Sequence, residues 1–144
     1  MVKKATKADS RTLAEMAAAL WDSHAVDELE TEFLETLNDK QSAFFIKYIH
    51  DLPVGFAQCG LRTDYVEGTQ TSPVGYLEGI FVKASYRKKG YAKELLRACE
   101  IWAKDMGCAE FASDCELDNI GSLSFHRAMG FEEANRIICF KKEL

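Results

Sequence analysis

The sequence predicts a mixed α/β (α+β) fold built on one sheet. Two observations carry this. Three apolar stretches of strand character, "SAFFIKYIH", "VGFAQCGL" and "VGYLEGIFV", run through the middle of the chain, and helical apolar spacing precedes and follows them. The joins are of two kinds, a short turn at "DLP" and a long amphipathic helix after "VGYLEGIFV", so the sheet has both hairpin and helical connections.

In order, residues 1–5 suit a short first strand. Asp9 or Ser10 can cap a helix to about residue 21, with Leu13, Met16, Ala17 and Leu20 at helical spacing. A second helix covers 27–38, with Leu29, Phe33 and Leu37 on one side. The two strands "SAFFIKYIH" and "VGFAQCGL" follow, then a polar loop over 63–73 and the strand "VGYLEGIFV". Residues 89–106 repeat Ala92, Leu95, Leu96, Cys99, Trp102, Ala103 and Met106 at three and four, and Gly107 stops that helix. "CAEFAS" is a strand. Asp118 or Asn119 starts a helix to about Met129, ended by Gly130, and "FEEANRIICFKKEL" closes the chain as strand, turn and strand. The predicted order is βααβββαβαββ.

Composition narrows the function. The 144 residues suit one compact domain over 1–144, 47% hydrophobic and 28% charged. No run approaches the ~20 apolar residues of a membrane span. "MVKKATKADS" lacks the apolar core of a signal peptide, so export and membrane partners are not expected. Cys59, Cys99, Cys108, Cys115 and Cys139 are odd in number and scattered, without C-x-x-C, which argues against zinc or a disulfide framework and for reduced thiols in a cytoplasmic protein. No metal is expected. A net charge of −5 argues against a nucleic-acid partner. Residues 22–39 hold seven Asp/Glu and no Lys or Arg. Such a run is commonly a solvated helix face; it also suits a wall for a polycation.

Two features carry chemistry. Arg87-Lys88-Lys89-Gly90-Tyr91-Ala92 joins a strand to a helix. Unpaired N–H groups at a helix N-terminus, a glycine that permits close approach and flanking cations together suit a pyrophosphate, although an ordinary turn with solvated lysines has the same composition. The second feature is Glu78, a carboxylate inside an apolar strand, which must be paired, edge-exposed or facing a site.

Strand, then R-x-x-G-x-A, then amphipathic helix resembles the acetyl-CoA site of the GNAT N-acetyltransferase superfamily. "DNIGSLSFHRAMGF" is similar to that superfamily's second signature, in register with the first. The resemblance implies the GNAT acyl-CoA N-acyltransferase fold, whose sheet splays between "LEGIFV" and "CAEFAS". It implies acetyl-CoA as cosubstrate, with the pantetheine arm on the backbone of Ile80, Phe81 and Val82, the pyrophosphate on Arg87, Lys88, Lys89, Gly90, Tyr91 and Ala92, and Asn119 as a further contact. Asn119 is also a good helix cap.

"ALWDSH" with Trp21 and His24, "RTDYVEG" with Tyr65, "SPVGYLEGIFV" with Glu78, "ASD" with Asp114 and "HRAMGFEE" resemble one branch, the bacterial aminoglycoside 6′-N-acetyltransferases. That resemblance implies transfer of acetyl to the 6′-amine of an aminoglycoside in a ternary complex, antibiotic resistance, and a homodimer; the terminal strands with "IICF" are a candidate part of its interface. Trp21, His24, Tyr65, Glu78 and Asp114 are then the acceptor-site residues. Trp21 also fits a core position, Tyr65 surface packing and Asp114 a turn. Carboxylates for ammonium groups and aromatic walls for sugar faces are what such a ligand needs. Asp114 or Glu78 is the expected proton acceptor from the amine, with Asp114 preferred. The superfamily's usual Tyr, four residues before the Gly of Gly-Phe, is here His126, the candidate acid toward the leaving thiolate. A polyamine, a metabolite amine or a peptide N-terminus is the rival acceptor, and a non-catalytic acyl-CoA-binding module the rival class.

Overall fold

The computed structural model describes all of residues 1–144. Strand β1 is Val2–Lys4. Helices α1 (Ser10–Leu20) and α2 (Val26–Asn38) follow, then β2 (Ser42–Ile49), β3 (Leu52–Arg62) and β4 (Val74–Val82), then α3 (Tyr91–Asp105), β5 (Phe111–Ser113) and α4 (Ile120–Ala128). The five strands form one mixed sheet in the order β1-β2-β3-β4-β5, antiparallel through β4 and parallel between β4 and β5.

Helices cover both faces. On one, Leu95, Leu96, Cys99, Trp102 and Ala103 of α3 meet Ala43, Phe45, Ala57 and Leu77. On the other, Leu13, Met16, Leu29 and Phe33 of α1 and α2 meet Phe44, Ile46 and Phe56. Covering on both sides explains why β2 reads as the unbroken run "AFFI". Each buried Leu or Phe contributes about 1.5–3 kcal/mol. Lys47 is also buried, its ammonium ion-paired with Glu94 in the first turn of α3 and 4.7 Å from the Tyr91 ring centroid. That pair holds the N-terminus of α3 against the sheet.

Two local departures from the expected pattern have physical causes. The β2–β3 turn is His50-Asp51, with φ of 46° and 64°, and "DLP" runs on into β3. A two-residue turn with both φ positive matches the twist of the flanking strands. At β3–β4 the register shifts between Gln58 and Cys59: Gln58 faces Gly79 while Cys59 faces Leu77, so Glu78 is the extra residue of a β-bulge. The bulge resets the alternation. Leu77, Ile80 and Val82 pack toward α3, whereas Phe81 packs toward α1 and α2.

The expected strand-turn-strand over 131–144 is not formed; no helix or strand follows α4. Phe131 packs near Phe111, Arg127 and Arg136 bind Glu133, and Asn135 reaches Glu67. Beyond these anchors Ile137, Ile138 and Phe140 lie exposed. Their β-branched and aromatic composition favours a strand, but a strand needs an edge to pair with, and no edge of this sheet receives them.

Candidate active site

The site begins where β4 and β5 part. Their pairing runs from Gly75↔Phe111 to Leu77↔Ser113 and stops. β4 continues to Val82, so Gly79 to Val82, including Ile80, Phe81 and Val82, have a strand partner on β3 alone. Alternate backbone N–H and C=O groups of this stretch therefore face an open gap, where an extended ligand can pair with them.

At the end of β4 the chain turns into α3. Gly90 is the N-cap, at φ 82° and ψ 8°, and Lys88 also has a positive φ. No side chain caps α3. The first backbone bond into the helix is Glu94 N–H to Gly90 O, so the N–H groups of Tyr91, Ala92 and Lys93 are free, and those of Lys88, Lys89 and Gly90 donate to no carbonyl. A Cβ at Gly90 would meet nothing within 4 Å, so glycine is required there by conformation and not by a neighbour. The result is a row of N–H donors at a positive helix end, suited to a diphosphate. Arg87 is differently placed: its Nε–H donates to Val82 O at 2.9 Å, bracing the turn on β4. Lys89 lies 5.8 Å over the Tyr86 ring.

The bulge turns Glu78 toward the α1–α2 side, beside an open cavity of about 260 Å³ lined by Trp21, His24, Leu29, Glu32, Phe33, Gln58 and Glu78. Trp21 reaches it because Gly79 has no side chain: a Cβ there would lie 2.6 Å from the indole. His24 Nδ1 is 3.2 Å from Ser23 Oγ. Glu78 is ion-paired. Arg62 Nε and Nη2 donate to its Oε1 at 3.2 and 3.0 Å, and Nη2 donates to Oε2 at 3.0 Å. The same guanidinium lies 3.4 Å over the Tyr76 ring. Tyr76, buried in β4, donates its hydroxyl to Asp114 Oδ2, just after β5. Burial, then the Asp114 carboxylate, push the Tyr76 phenol well up, so it stays a donor. Asp114 Oδ1 has no protein donor.

His126 enters from α4. Its Nδ1 is 2.7 Å from Ser122 O, which can only accept, so Nδ1 carries a proton; Nε2 is 2.8 Å from Ser113 Oγ. Ser113 is the last β5 residue paired with β4, which puts His126 beside the point of splay. With Nδ1 protonated, Nε2 is the ring nitrogen open to exchange a proton with the gap, by way of the Ser113 hydroxyl. Asn119 caps α4, its Oδ1 accepting from Ser122 N–H at 3.1 Å.

The structure brings Trp21, His24 and Glu78 to one cavity and links Glu78 to Asp114 through Arg62 and Tyr76. Tyr65 touches none of them: it is exposed in the 63–73 loop, with Gly68 N–H donating to its hydroxyl at 3.4 Å. The acidic run is also divided. Asp27 and Glu30 bind Arg11 at 2.6 and 3.1 Å, and Glu32 is the member that lines the cavity. Arg62, Tyr76 and Ser113 were not expected from sequence. Tyr76 had a visible cue, its even spacing from Glu78; Arg62 had none without the β3–β4 register. A hydrogen bond to Cys59, and then burial, push the Cys99 thiol up, away from nucleophilic use.

Comparison with known proteins agrees with this geometry. The model of the Acetyltransferase (GNAT) family matches residues 11–131. The chain is 36% identical over 143 residues to an aminoglycoside N(6′)-acetyltransferase type 1 of Acinetobacter haemolyticus, covering 99% of this chain and 98% of that one. It is 40% identical over 144 residues to one of Stenotrophomonas maltophilia, covering 99% and 93%. Among solved structures, AAC(6′)-Iy in complex with the bisubstrate analogue CoA-S-monomethyl-acetylneamine superposes with a TM-score of 0.95 at 36% identity, covering 100% of this chain and 98% of that one. The chain belongs to the GNAT family of acetyltransferases.

Proposed function

We propose that this protein is an acetyl-CoA-dependent aminoglycoside 6′-N-acetyltransferase conferring resistance, working as one acetyltransferase domain over 1–144. The observation that carries the reading is the adjoining of two sites of opposite preference on β4: free N–H groups for an anion after Val82, and carboxylates with an aromatic wall from Glu78 back to Tyr76. Near full-length similarity to aminoglycoside N(6′)-acetyltransferases supports the substrate class.

The open edge of Ile80, Phe81 and Val82 and the N–H row from Lys88 to Ala92 fit a pantetheine arm and its diphosphate, with Lys88 and Lys89 adding charge and Asn119 a free amide Nδ2. Acetyl-CoA, when bound, supplies the acetyl group as a thioester. Asp114 accepts the proton from the incoming ammonium on its open Oδ1, and Tyr76 holds the carboxylate in place. As the amine forms its bond to the acetyl carbon, the bond to sulfur breaks. The nitrogen sheds a second proton as it becomes an amide, and that proton goes to the departing thiolate, beside which the Ser113 hydroxyl and His126 Nε2 stand to pass it on. Free β4 backbone N–H groups stabilise charge on the acetyl oxygen. Trp21, His24 and Glu78 line the cavity for the sugar rings and their ammonium groups, with Tyr65 an expected further contact from the exposed 63–73 loop.

A cytoplasmic setting is supported by five free cysteines. A homodimer is supported by the exposed Ile137, Ile138 and Phe140, an unpaired apolar strand sequence; sedimentation showing only monomer would refute it. The function is tested by offering acetyl-CoA with kanamycin, tobramycin, spermidine and a peptide panel, following thiol release and locating the acetyl group by mass spectrometry. Acetylation at the 6′-amine is expected. Turnover confined to spermidine or peptides would move the substrate class, and no thiol release with any amine would make the protein a binding module.

A further inference from the structure

We infer that Arg62 is a positioning residue of the acceptor site: it fixes Glu78 and Tyr76, and through Tyr76 it steadies Asp114. The inference rests on the acetyltransferase reading above and assigns a role to a residue outside it.

Arg62 ends β3 and pairs in register with Val74, four residues before Glu78. To reach Glu78 its side chain must lie lengthwise along the sheet, across Tyr76. It does so, with the guanidinium carbon 3.4 Å from the ring centroid and three hydrogen bonds to the two carboxylate oxygens. The stack and the planar fork restrain each other: the ring sets the plane of the guanidinium, and the guanidinium sets the plane of the carboxylate. On its other side Tyr76 is fixed by its bond to Asp114. One cation thus ties two carboxylates, one in β4 and one just after β5, into a single array.

A cation in a cleft for cationic amines is otherwise a disadvantage, because it offsets attraction for the substrate. Its presence is explained if orientation matters more than attraction. Glu78 has about four lone-pair positions and Arg62 takes three, so Glu78 can receive one ammonium in a set direction. It is poorly suited to accept a proton, which leaves that work to Asp114.

Two readings of Arg62 make opposite predictions. If it only competes for Glu78, Arg62→Ala removes a rival and leaves kcat equal to or above wild type. If it positions, Arg62→Ala lowers kcat about ten- to a hundredfold, the scale of a misplacement near 1 Å, while the KM for the amine stays level or falls. The acetyl-CoA KM should change less than twofold. The product should carry acetyl groups on more than one amine, since the acceptor is no longer held in one direction.

The experiment measures kcat, both KM values and the product distribution for wild type, Arg62→Ala, Arg62→Lys, Glu78→Gln and the double variant Arg62→Ala/Glu78→Gln. The amine is whichever one wild type acetylates fastest, so a wrong substrate class and a wrong role for Arg62 give different results. Arg62→Lys returns the charge without the fork and should recover less than half of the lost kcat. In the Glu78→Gln background, Arg62→Ala should have a smaller effect than alone, the remainder being the part carried through Tyr76 to Asp114. A kcat for Arg62→Ala at or above wild type overturns the inference. So does full rescue by lysine, or equal effects in both backgrounds.

Discussion

Gly79→Ala tests how the acceptor cavity is built. The added Cβ would lie 2.6 Å from Trp21 Cζ2 and 2.7 Å from Cη2. Carbon atoms rest at about 3.5–4.0 Å, so the indole must retreat by about 1 Å. It has little room, since its ring packs edge-on to Phe33 and Phe56 at centroid distances of 6.4 and 6.2 Å. Gly79 has no positive φ, so the perturbation is steric and leaves the backbone of β4 as it is. Overpacking of this kind costs about 1–3 kcal/mol, a fall in Tm of about 3–9 °C for a chain of this size. A wall displaced by about 1 Å should lower kcat/KM for the aminoglycoside about 10- to 100-fold. Because the open edge of Ile80 to Val82 and the α3 N-terminus lie beyond Gly79 along the chain, the acetyl-CoA KM should hold within twofold. Trp21→Phe in the Gly79→Ala background should restore Tm without restoring the acceptor. Steady-state kinetics with each substrate varied and a thermal melt read all of this. A Gly79→Ala protein with wild-type Tm and acceptor kinetics would refute the packing argument, and a matching loss on acetyl-CoA would show that β4 itself had moved.

Other variants separate the remaining roles. Gly90→Val places a β-branched residue at φ 82°, a left-handed conformation costing about 1–2 kcal/mol or more, so the N–H row should distort and the acetyl-CoA KM rise about tenfold or more, with the acceptor KM unchanged. Asp114→Asn keeps an acceptor for Tyr76 but removes the base; kcat should fall about 10²- to 10⁴-fold with acetyl-CoA binding intact by calorimetry, and unchanged turnover would remove Asp114 from the mechanism. Glu110 anchors the Tyr65 loop, accepting from Gln70 N–H, Thr71 N–H and the Thr71 hydroxyl. The Thr71 hydroxyl and then the Gln70 N–H hold its carboxyl below the usual range. Its stabilisation is therefore present above the unfolded value of about 4.3 and lost as pH falls through the lower folded value. Amide-exchange protection factors at 65–71, relative to the intrinsic rate at each pH, should fall over that acidic window in wild type and be low at all pH in Glu110→Ala.

Local rules made β1 to β5, the four helices and the glycine turn before α3 legible, because each is set by period, cap and glycine. Glu78 stood out for the same reason, as a carboxylate where the period demands an apolar residue. What could not be read depends on register. The bulge at Glu78 shifts the face of everything after it, and it arises from a one-residue mismatch with β3. Arg62 meets Glu78 only through that pairing, 16 residues away in sequence. The acidic run misleads in the same manner: Asp27 and Glu30 look free until Arg11, on the neighbouring helix, takes both. "IICF" shows the limit from the other side, since its propensity is plain but a strand is a property of two segments.

The pairings also bear on which carboxylate can act as base. Both candidates lie in the same array, yet their partners differ in kind. Glu78 receives three donors from a permanent cation, and protonating it would sacrifice an ion pair. Asp114 receives one neutral hydroxyl, and protonation at the open Oδ1 leaves the Tyr76 bond in place. The proton should therefore go to Asp114 even though Glu78 faces the cavity. The same logic gives the turn before α3 a second effect if it holds the anionic cofactor as proposed. A bound diphosphate would offset the positive end of α3 and the charges of Lys88 and Lys89, leaving the acceptor side to be governed by Asp114, Glu32 and the Glu78–Arg62 pair. That order of charges favours a cationic amine arriving at a site whose cofactor is already in place.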